Sequence, residues 1–473
     1  MKLLYKLLIF TLPMLSAAGC ASYSERLTDV RRAYADGQFE QAYLAAEKNA
    51  AVFAKKNSDR DALPALLEAG SVSRTADRIA DSQHFLSRAE QIYELRLSEA
   101  RHSLTGETFA LLTDPTTLPY RGSGADALML CTYRALNALQ LGNIAGARQP
   151  LMRADIRQKE NLALNTKELE ATRKAARKDK NATEIDQSRN SPLTKKATKQ
   201  ILEDLPDTHG YELYVNPFTE FLIAFYHRYA GVDAADRETA RFRMRRALSL
   251  APNCSALRYE AERLDRGLPS EPSVYLFFED GMAPYRTEES FTLPIYVGHT
   301  VSTVSLAFPK LKRDSGIPGS AKISGGGHTA SAELVCDMEA VLSKEFRNSF
   351  STELTRAIAS ATVKAVAAYA INYSAQQADN GFVAFAALLA TSAYNAATAH
   401  ADLRSWTTLP RAISVARIPL PADRRVALRI NDTSRTLHLN GPSNIWVVCV
   451  RSPRQGAAPH IAYFPISQRK DLP

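Results

Sequence analysis

The sequence predicts an α+β protein, mainly helical, in which a helical repeat region is followed by a mixed β domain carrying a long Ala-rich helical insertion. Three observations predict it. In the first half a turn of the form Gly-x-apolar-x-x-Ala recurs. After Leu268-Pro269 short apolar runs bounded by Pro and Gly take over. Between those runs, from about 337 to 402, lies an alanine-rich stretch of helical character.

The chain begins MKLLYKLLIFTLPMLSAAGCASYSERL. Lys2 and Lys6 precede an apolar run from Leu7 to Leu15, then Ser16, Ala17, Ala18 and Gly19. That is the layout of a secretory signal, and it is shorter than the ~20 apolar residues a spanning helix needs. Ser16-Ala17-Ala18-Gly19-Cys20 resembles the lipobox of bacterial lipoproteins, departing at Ala17, where leucine is usual. The resemblance implies cleavage after residue 19 and a covalent lipid on Cys20. Ala21 follows, where an aspartate would favour the inner membrane, so the resemblance implies the outer membrane of a Gram-negative bacterium. The alternative is an ordinary signal peptide with a chance cysteine. Each buried lipid CH₂ contributes ~0.8 kcal/mol, so several acyl chains anchor a protein without a spanning helix.

From residue 20 to about 266 the pattern is helical. Asp36-Gly37-Gln38-Phe39-Glu40-Gln41-Ala42 and Leu141-Gly142-Asn143-Ile144-Ala145-Gly146-Ala147 share one arrangement. Glycine opens a tight turn and alanine starts a packed face. Met244-Arg245-Arg246-Ala247-Leu248-Ser249-Leu250-Ala251-Pro252-Asn253 resembles the closing turn of a tetratricopeptide repeat, and a weaker unit lies around Ala76 to Arg88-Ala89. The expectation is a tetratricopeptide-like α-solenoid, whose units bury their apolar faces only by stacking. A non-repeating bundle is the alternative. One insert, about 165–205, is charged: Lys167 to Lys199 holds ten Lys/Arg and five Asp/Glu. It reads as a solvated helix or a disordered excursion, and less simply as a surface for an acidic polymer.

The mixed domain spans about 270–473. Val274–Phe278, Phe291–Val297, Val301–Phe308, Ala412–Ile418, Arg425–Ile430 and Ile445–Val450 read as strands. Gly325-Gly326-Gly327, Pro421-Ala422-Asp423 and Asn440-Gly441-Pro442 supply turns. Within the helical insertion Thr355–Ala378 is alanine-rich, and Asn380–Ala399 carries no charge. Asn380, Thr391, Ser392, Asn395 and Thr398 make a free membrane span costly, so a hairpin packed on protein, with Phe382, Phe385 and Leu389 turned to a core or an oligomer contact, is expected.

The net charge of +9 suits anionic lipid, lipopolysaccharide or cell-wall polymer. Its dispersal, with export, argues against nucleic acid. Cys131, Cys254, Cys336 and Cys449 show no CxxC or Cys/His spacing, so no metal is expected. A Cys336–Cys449 disulfide and four buried thiols both remain open. The nine histidines form neither HxH nor HExxH, Ser324-Gly325-Gly326-Gly327-His328 lacks the ending of a phosphate loop, and no GxSxG is present. No catalytic residue, and no cofactor beyond the lipid on Cys20, is expected.

Several short stretches together carry a family resemblance. They are Cys20-Ala21-Ser22-Tyr23-Ser24, Pro119-Tyr120-Arg121-Gly122, Asn216-Pro217-Phe218, Phe278-Glu279-Asp280-Gly281-Met282-Ala283-Pro284 and Asp402-Leu403-Arg404-Ser405-Trp406-Thr407-Thr408-Leu409-Pro410. The chain resembles a family of bacterial outer-membrane lipoproteins with tetratricopeptide-like N-terminal repeats. That resemblance implies a location and an architecture and supplies no catalytic residues. Tyr120, Arg121, Arg404 and Trp406 are the candidate partner-binding residues. Each also has a structural reading: Tyr120-Arg121 ordering the loop before a helix near Asp126, Arg404 paired with an acid, and Trp406 anchoring the return to the sheet. Asn216 and Pro217 suit a helix start. The expected function is a non-enzymatic, membrane-anchored scaffold or adaptor for another envelope protein, and homo-oligomer formation is possible. The alternative is a membrane-inserting or oligomerising component that uses the Ala-rich segment 355–399.

Overall fold

Tight turns with one shared geometry build the first half. The computed structural model describes residues 23–105, 118–208, 212–298, 300–314, 316–377 and 400–466. Cys20 with its signal, and the stretch Asn380–Ala399, lie outside the described residues. The protein is α+β. Helices α1 (Tyr23–Ala35), α2 (Phe39–Phe53), α3 (Ala62–Thr75), α4 (Ile79–Thr105), α5 (Gly124–Gln140), α6 (Ile144–Lys178), α7 (Ala182–Asn190), α8 (Pro192–Leu202), α9 (Pro217–Ala230), α10 (Ala234–Leu250) and α11 (Ser255–Asp265) come before any described strand.

Four pairs, α1/α2, α3/α4, α5/α6 and α9/α10, are joined by three residues each. In the first three, the N–H of Gln38, Arg78 or Asn143 reaches back to the carbonyl of Ala33, Ser73 or Ala138 at 2.8–2.9 Å. The residue before it takes positive φ: Gly37 at 73°, Asp77 at 57°, Gly142 at 73°. This six-to-one closure needs the left-handed conformation that glycine adopts without strain, which is why glycine marks two of the three turns in sequence. As expected, Asn216 caps α9, its side-chain oxygen accepting the Thr219 N–H at 3.0 Å, and Pro217 takes the first helical position.

The second half is layered. A five-stranded sheet runs β11-β10-β1-β7-β6, from β1 (Ser273–Asp280), β6 (Glu333–Asp337), β7 (Ala412–Pro419), β10 (Ile445–Ser452) and β11 (His460–Ile466). β1 pairs parallel with β10 and antiparallel with β7. A second sheet runs β5-β4-β8-β9, from β4 (Ala321–Gly325), β5 (His328–Ser331), β8 (Arg425–Ile430) and β9 (Thr433–His438). Side-chain alternation on β1 assigns the layers. Val274, Leu276 and Phe278 pack with Ile323, Leu428 and Ile430 of the second sheet. Tyr275 and Phe277 turn the other way, into the helices. That is why β1 reads as an unbroken apolar run.

Among the helices that meet the first sheet are α1, α5 and α9, each the first member of a hairpin, and α11, whose Glu260 accepts from Tyr275 of β1 at 2.5 Å. Every residue of α3 is buried. Phe277 meets Phe218, Phe221 and Phe225 of α9 edge-on at 5.4–5.7 Å between ring centres. Tyr34 of α1 accepts from Arg451 of β10 at 3.2 Å, and Tyr133 of α5 donates to Glu279 of β1 at 3.1 Å. One core therefore joins the two halves of the chain.

An arm leaves this body. β2 (Tyr285–Val297) and β3 (Thr300–Lys312) form a separate two-stranded sheet, and α12 (Met338–Gln377) is 40 residues long. An isolated hairpin is marginal in water, so it needs a cover. The charged insert supplies one: the end of α6, with α7 and α8, folds as helix. Ile185 of α7 packs with Ile295, Val297 and Ile358, and Ile201 of α8 with Leu293, Phe308 and Phe350. Pro294 and Pro309 each remove an amide donor, which suits strands that are both edges. No helix among the described residues is long and apolar enough to cross a membrane.

Candidate functional site

A cavity of about 630 Å³ opens where the arm meets the body. Its apolar wall includes Leu97, Leu164, Leu306, Leu342, Phe346 and Trp406. The loop before α5, carrying Tyr120 and Arg121, forms one side. Ser123 ends this loop with a reciprocal cap: its hydroxyl accepts the Asp126 N–H at 2.9 Å, and Asp126 accepts the Ser123 N–H at 2.8 Å. Tyr120 donates to the same Asp126 at 2.7 Å, so the cap also fixes the tyrosine.

Charged groups ring the cavity in pairs. Arg121 and Arg356 both reach Glu168 at 2.8 Å, and these two guanidinium groups hold its carboxyl below the usual range despite burial. Glu345 of α12 accepts the backbone N–H groups of Gly124 (2.6 Å) and Ala125 (3.0 Å) at the start of α5. Burial pushes its carboxyl up to about 7, and burial also raises Asp126. Both carboxyls sit where a helix start favours them, and their hydrogen bonds are those of caps.

The four sequence-predicted residues come together here, in different settings. Tyr120, Arg121 and Trp406 line the cavity. Arg121 keeps nearly half of its side-chain surface in solvent. Arg404 lies behind them, 9 % exposed, bonded to Asp402 (2.7 Å), Asp61 (3.1 Å) and the Leu118 carbonyl (2.9 Å). Its guanidinium ties the loop after the arm to the loops before α3 and α5. Trp406 is 2 % exposed; its indole N–H donates to Ser71 of α3 at 3.0 Å, and its ring meets Tyr133 edge-on.

A buried carboxylate fixes Trp406 in place. Glu68 of α3 accepts the backbone N–H and the hydroxyl of Thr407 (2.5 and 2.8 Å), and likewise of Thr408 (3.3 and 2.5 Å). Burial raises its carboxyl to about 7 against the pull of these four bonds. Sequence reasoning missed Glu68, Glu345, Glu168 and Arg356. Ser123-x-x-Asp126 carries a capping signature and was findable. Glu345 acts 221 positions from Gly124, and nothing local marks it.

Cys131, Cys254, Cys336 and Cys449 are free thiols. β1 and β7 separate Cys336 on β6 from Cys449 on β10, about 14 Å across the strands, too far for a disulfide. Among the described residues no group of three His, Cys, Asp or Glu is placed to hold a metal ion. No protein-family model, curated protein or solved structure matches the chain.

Proposed function

We propose that the protein is an outer-membrane-anchored periplasmic lipoprotein that works without catalysis, as a scaffold or adaptor binding another envelope protein. The cavity carries the binding part of this reading. It is lined by the helical half, the arm and the loop holding Trp406, so an occupant touches three parts of the chain. Its mixture of apolar wall and paired charges suits a protein segment that brings one apolar side chain and one ionic group. Four hairpins, three of them closed by the same backbone bond, support a tetratricopeptide-like stack for the helical half. Its first helices already face the sheet, so the partner is received at the cavity and not along that inner face.

The test uses the native lipidated protein in intact envelopes. A photocrosslinking side chain replaces Arg121, and a second copy of the experiment adds Leu306→Trp to fill the cavity. One crosslinked envelope protein, lost with Leu306→Trp, is expected. Equal crosslinking from a probe at Phe242, which is 62 % exposed on α10, would reject the cavity as the binding site. The anchor is tested separately: Cys20→Ser should release the protein from membranes or leave its signal uncut. Unchanged fractionation with the outer membrane would end that part of the proposal.

A further inference from the structure

The far end of the arm combines features that the cavity does not use. Hairpin β2/β3 has no Asp, Glu, Lys or Arg from Ser290 to Pro309. Helix α12 has none from Ala365 to its end at Gln377. These two uncharged segments meet: Ala365 of α12, Ile295 and Val297 of β2, Ile185 of α7, and Ala175 and Ala176 of α6 share one small apolar cluster. The Tyr296 N–H donates to Ser188 at 3.0 Å, which fixes α7 against the hairpin tip.

Around this uncharged tip the α6–α7 connection is strongly basic. Arg173, Lys174, Arg177, Lys178 and Lys180 are all exposed. None of them has an ion pair among the described residues. The one acid among them, Asp179, is occupied with the Asn181 N–H at 2.8 Å and the Asn181 side chain at 3.0 Å. Two apolar-bodied side chains on the same tip are exposed: Val301, paired with Tyr296 across the hairpin, is 55 % exposed, and Tyr369, one turn beyond Ala365 on α12, is 51 % exposed. A solvated protein face gains nothing by gathering, at the tip that also exposes a valine and a tyrosine, five cations with no ion pair among the described residues. A bilayer interface rewards both, since headgroup phosphates take the cations and the tyrosine and valine enter the boundary of the acyl region.

We propose that the arm tip is a second membrane contact, a peripheral docking surface for a phospholipid bilayer with anionic headgroups. Attraction to the headgroups supplies most of the affinity, and Val301 and Tyr369 give preference for a bilayer over a soluble polyanion. The contact is interfacial and needs no spanning helix. It stands independently of the adaptor reading, because it uses no cavity residue and is tested without the lipid on Cys20.

The experiment takes residues 21–473, which keep every described element, and floats them with vesicles of phosphatidylcholine alone or with about one third phosphatidylglycerol. Binding to the anionic vesicles at ~0.1 M salt is expected, fading towards 1 M as the screening length shrinks from ~10 to ~3 Å. Each basic side chain near such a surface is worth roughly fivefold. Lys174→Ser, Arg177→Ser and Lys178→Ser together should weaken partitioning by up to about a hundredfold. The same substitutions at Lys195, Lys196 and Lys199, on α8 and away from the tip, should cost much less. Val301→Ser with Tyr369→Ser should reduce binding several-fold, with thermal melts of all variants matching the parent. Failure to bind, equal binding to neutral vesicles, or equal loss from the α8 variant would overturn the proposal. So would full competition by dextran sulfate combined with no effect of Val301→Ser and Tyr369→Ser, which would make the surface a general polyanion site.

Discussion

Glu68 should make the protein less stable as the pH rises from about 4.5 to about 7. The unfolded carboxyl loses its proton near its ordinary 4.5, whereas the folded one keeps it to about 7. Between those values the folded state binds more protons, so stability falls with increasing pH. For one carboxyl the full loss is about 3 kcal/mol above pH 7. Glu68→Gln removes this titration. It also has a fixed cost. Protonated glutamate still accepts the Thr407 and Thr408 N–H groups, whereas one side of the amide can only donate. One backbone N–H then lacks its acceptor, at about 1–3 kcal/mol.

The assay is urea unfolding of parent and Glu68→Gln at pH 5 and pH 8. At pH 5 the variant should be less stable by about 1–3 kcal/mol. At pH 8 the gap should close or reverse. His227, whose burial lowers its proton affinity, acts in the opposite sense, because its stability is lost as the pH falls below 6.5. Its contribution is common to both proteins and cancels in the difference. A gap of the same size at both pH values would refute the reasoning, since the four hydrogen bonds would then be holding Glu68 ionised throughout.

Other outcomes follow from burial. Trp406→Ala should cost about 3–5 kcal/mol in urea unfolding, and Trp406→Phe clearly less, because the ring packing on Tyr133 survives while the bond to Ser71 is lost. Without reductant, Cys131, Cys254, Cys336 and Cys449 should all react as thiols after denaturation and hardly at all in the native protein; burial pushes Cys254 up to about 11 and Cys131 and Cys449 up to about 12. Any thiol missing after denaturation would contradict the free cysteines.

Much of the second half was legible because strands announce themselves by alternation and by breakers. All six expected runs lie within strands, and Gly326 and Gly327, at φ 57° and 79°, make the turn between β4 and β5. The strands missed are short or polar. β5 reads His-Thr-Ala-Ser and β9 reads Thr-Ser-Arg-Thr-Leu-His, both at the edges of their sheet, where an exposed strand has little apolar pattern to show. β11 carries Pro465, which obscured it and which only an edge strand accommodates. Of the two readings of the charged insert, a solvated helix or a disordered excursion, its described residues take the helical one. Its four buried apolar residues in these clusters, Ile185, Ala197, Ile201 and Leu205, are too sparse to reveal that they cover a hairpin.

By itself the sequence determined many of the elements, their order and several of their ends: glycine where a turn needs positive φ, asparagine and proline at the start of α9, alternation along β8. These depend on energies that act within a few residues. The tertiary structure alone decided what the elements face. It set β1 parallel to β10 across more than 150 residues, turned α1, α5, α9 and α11 onto that sheet, and brought Glu345 to the start of α5. It also gave Glu68 and Glu345 their raised proton affinity, because removal from water depends on every group that surrounds a carboxyl and not on its neighbours in the chain.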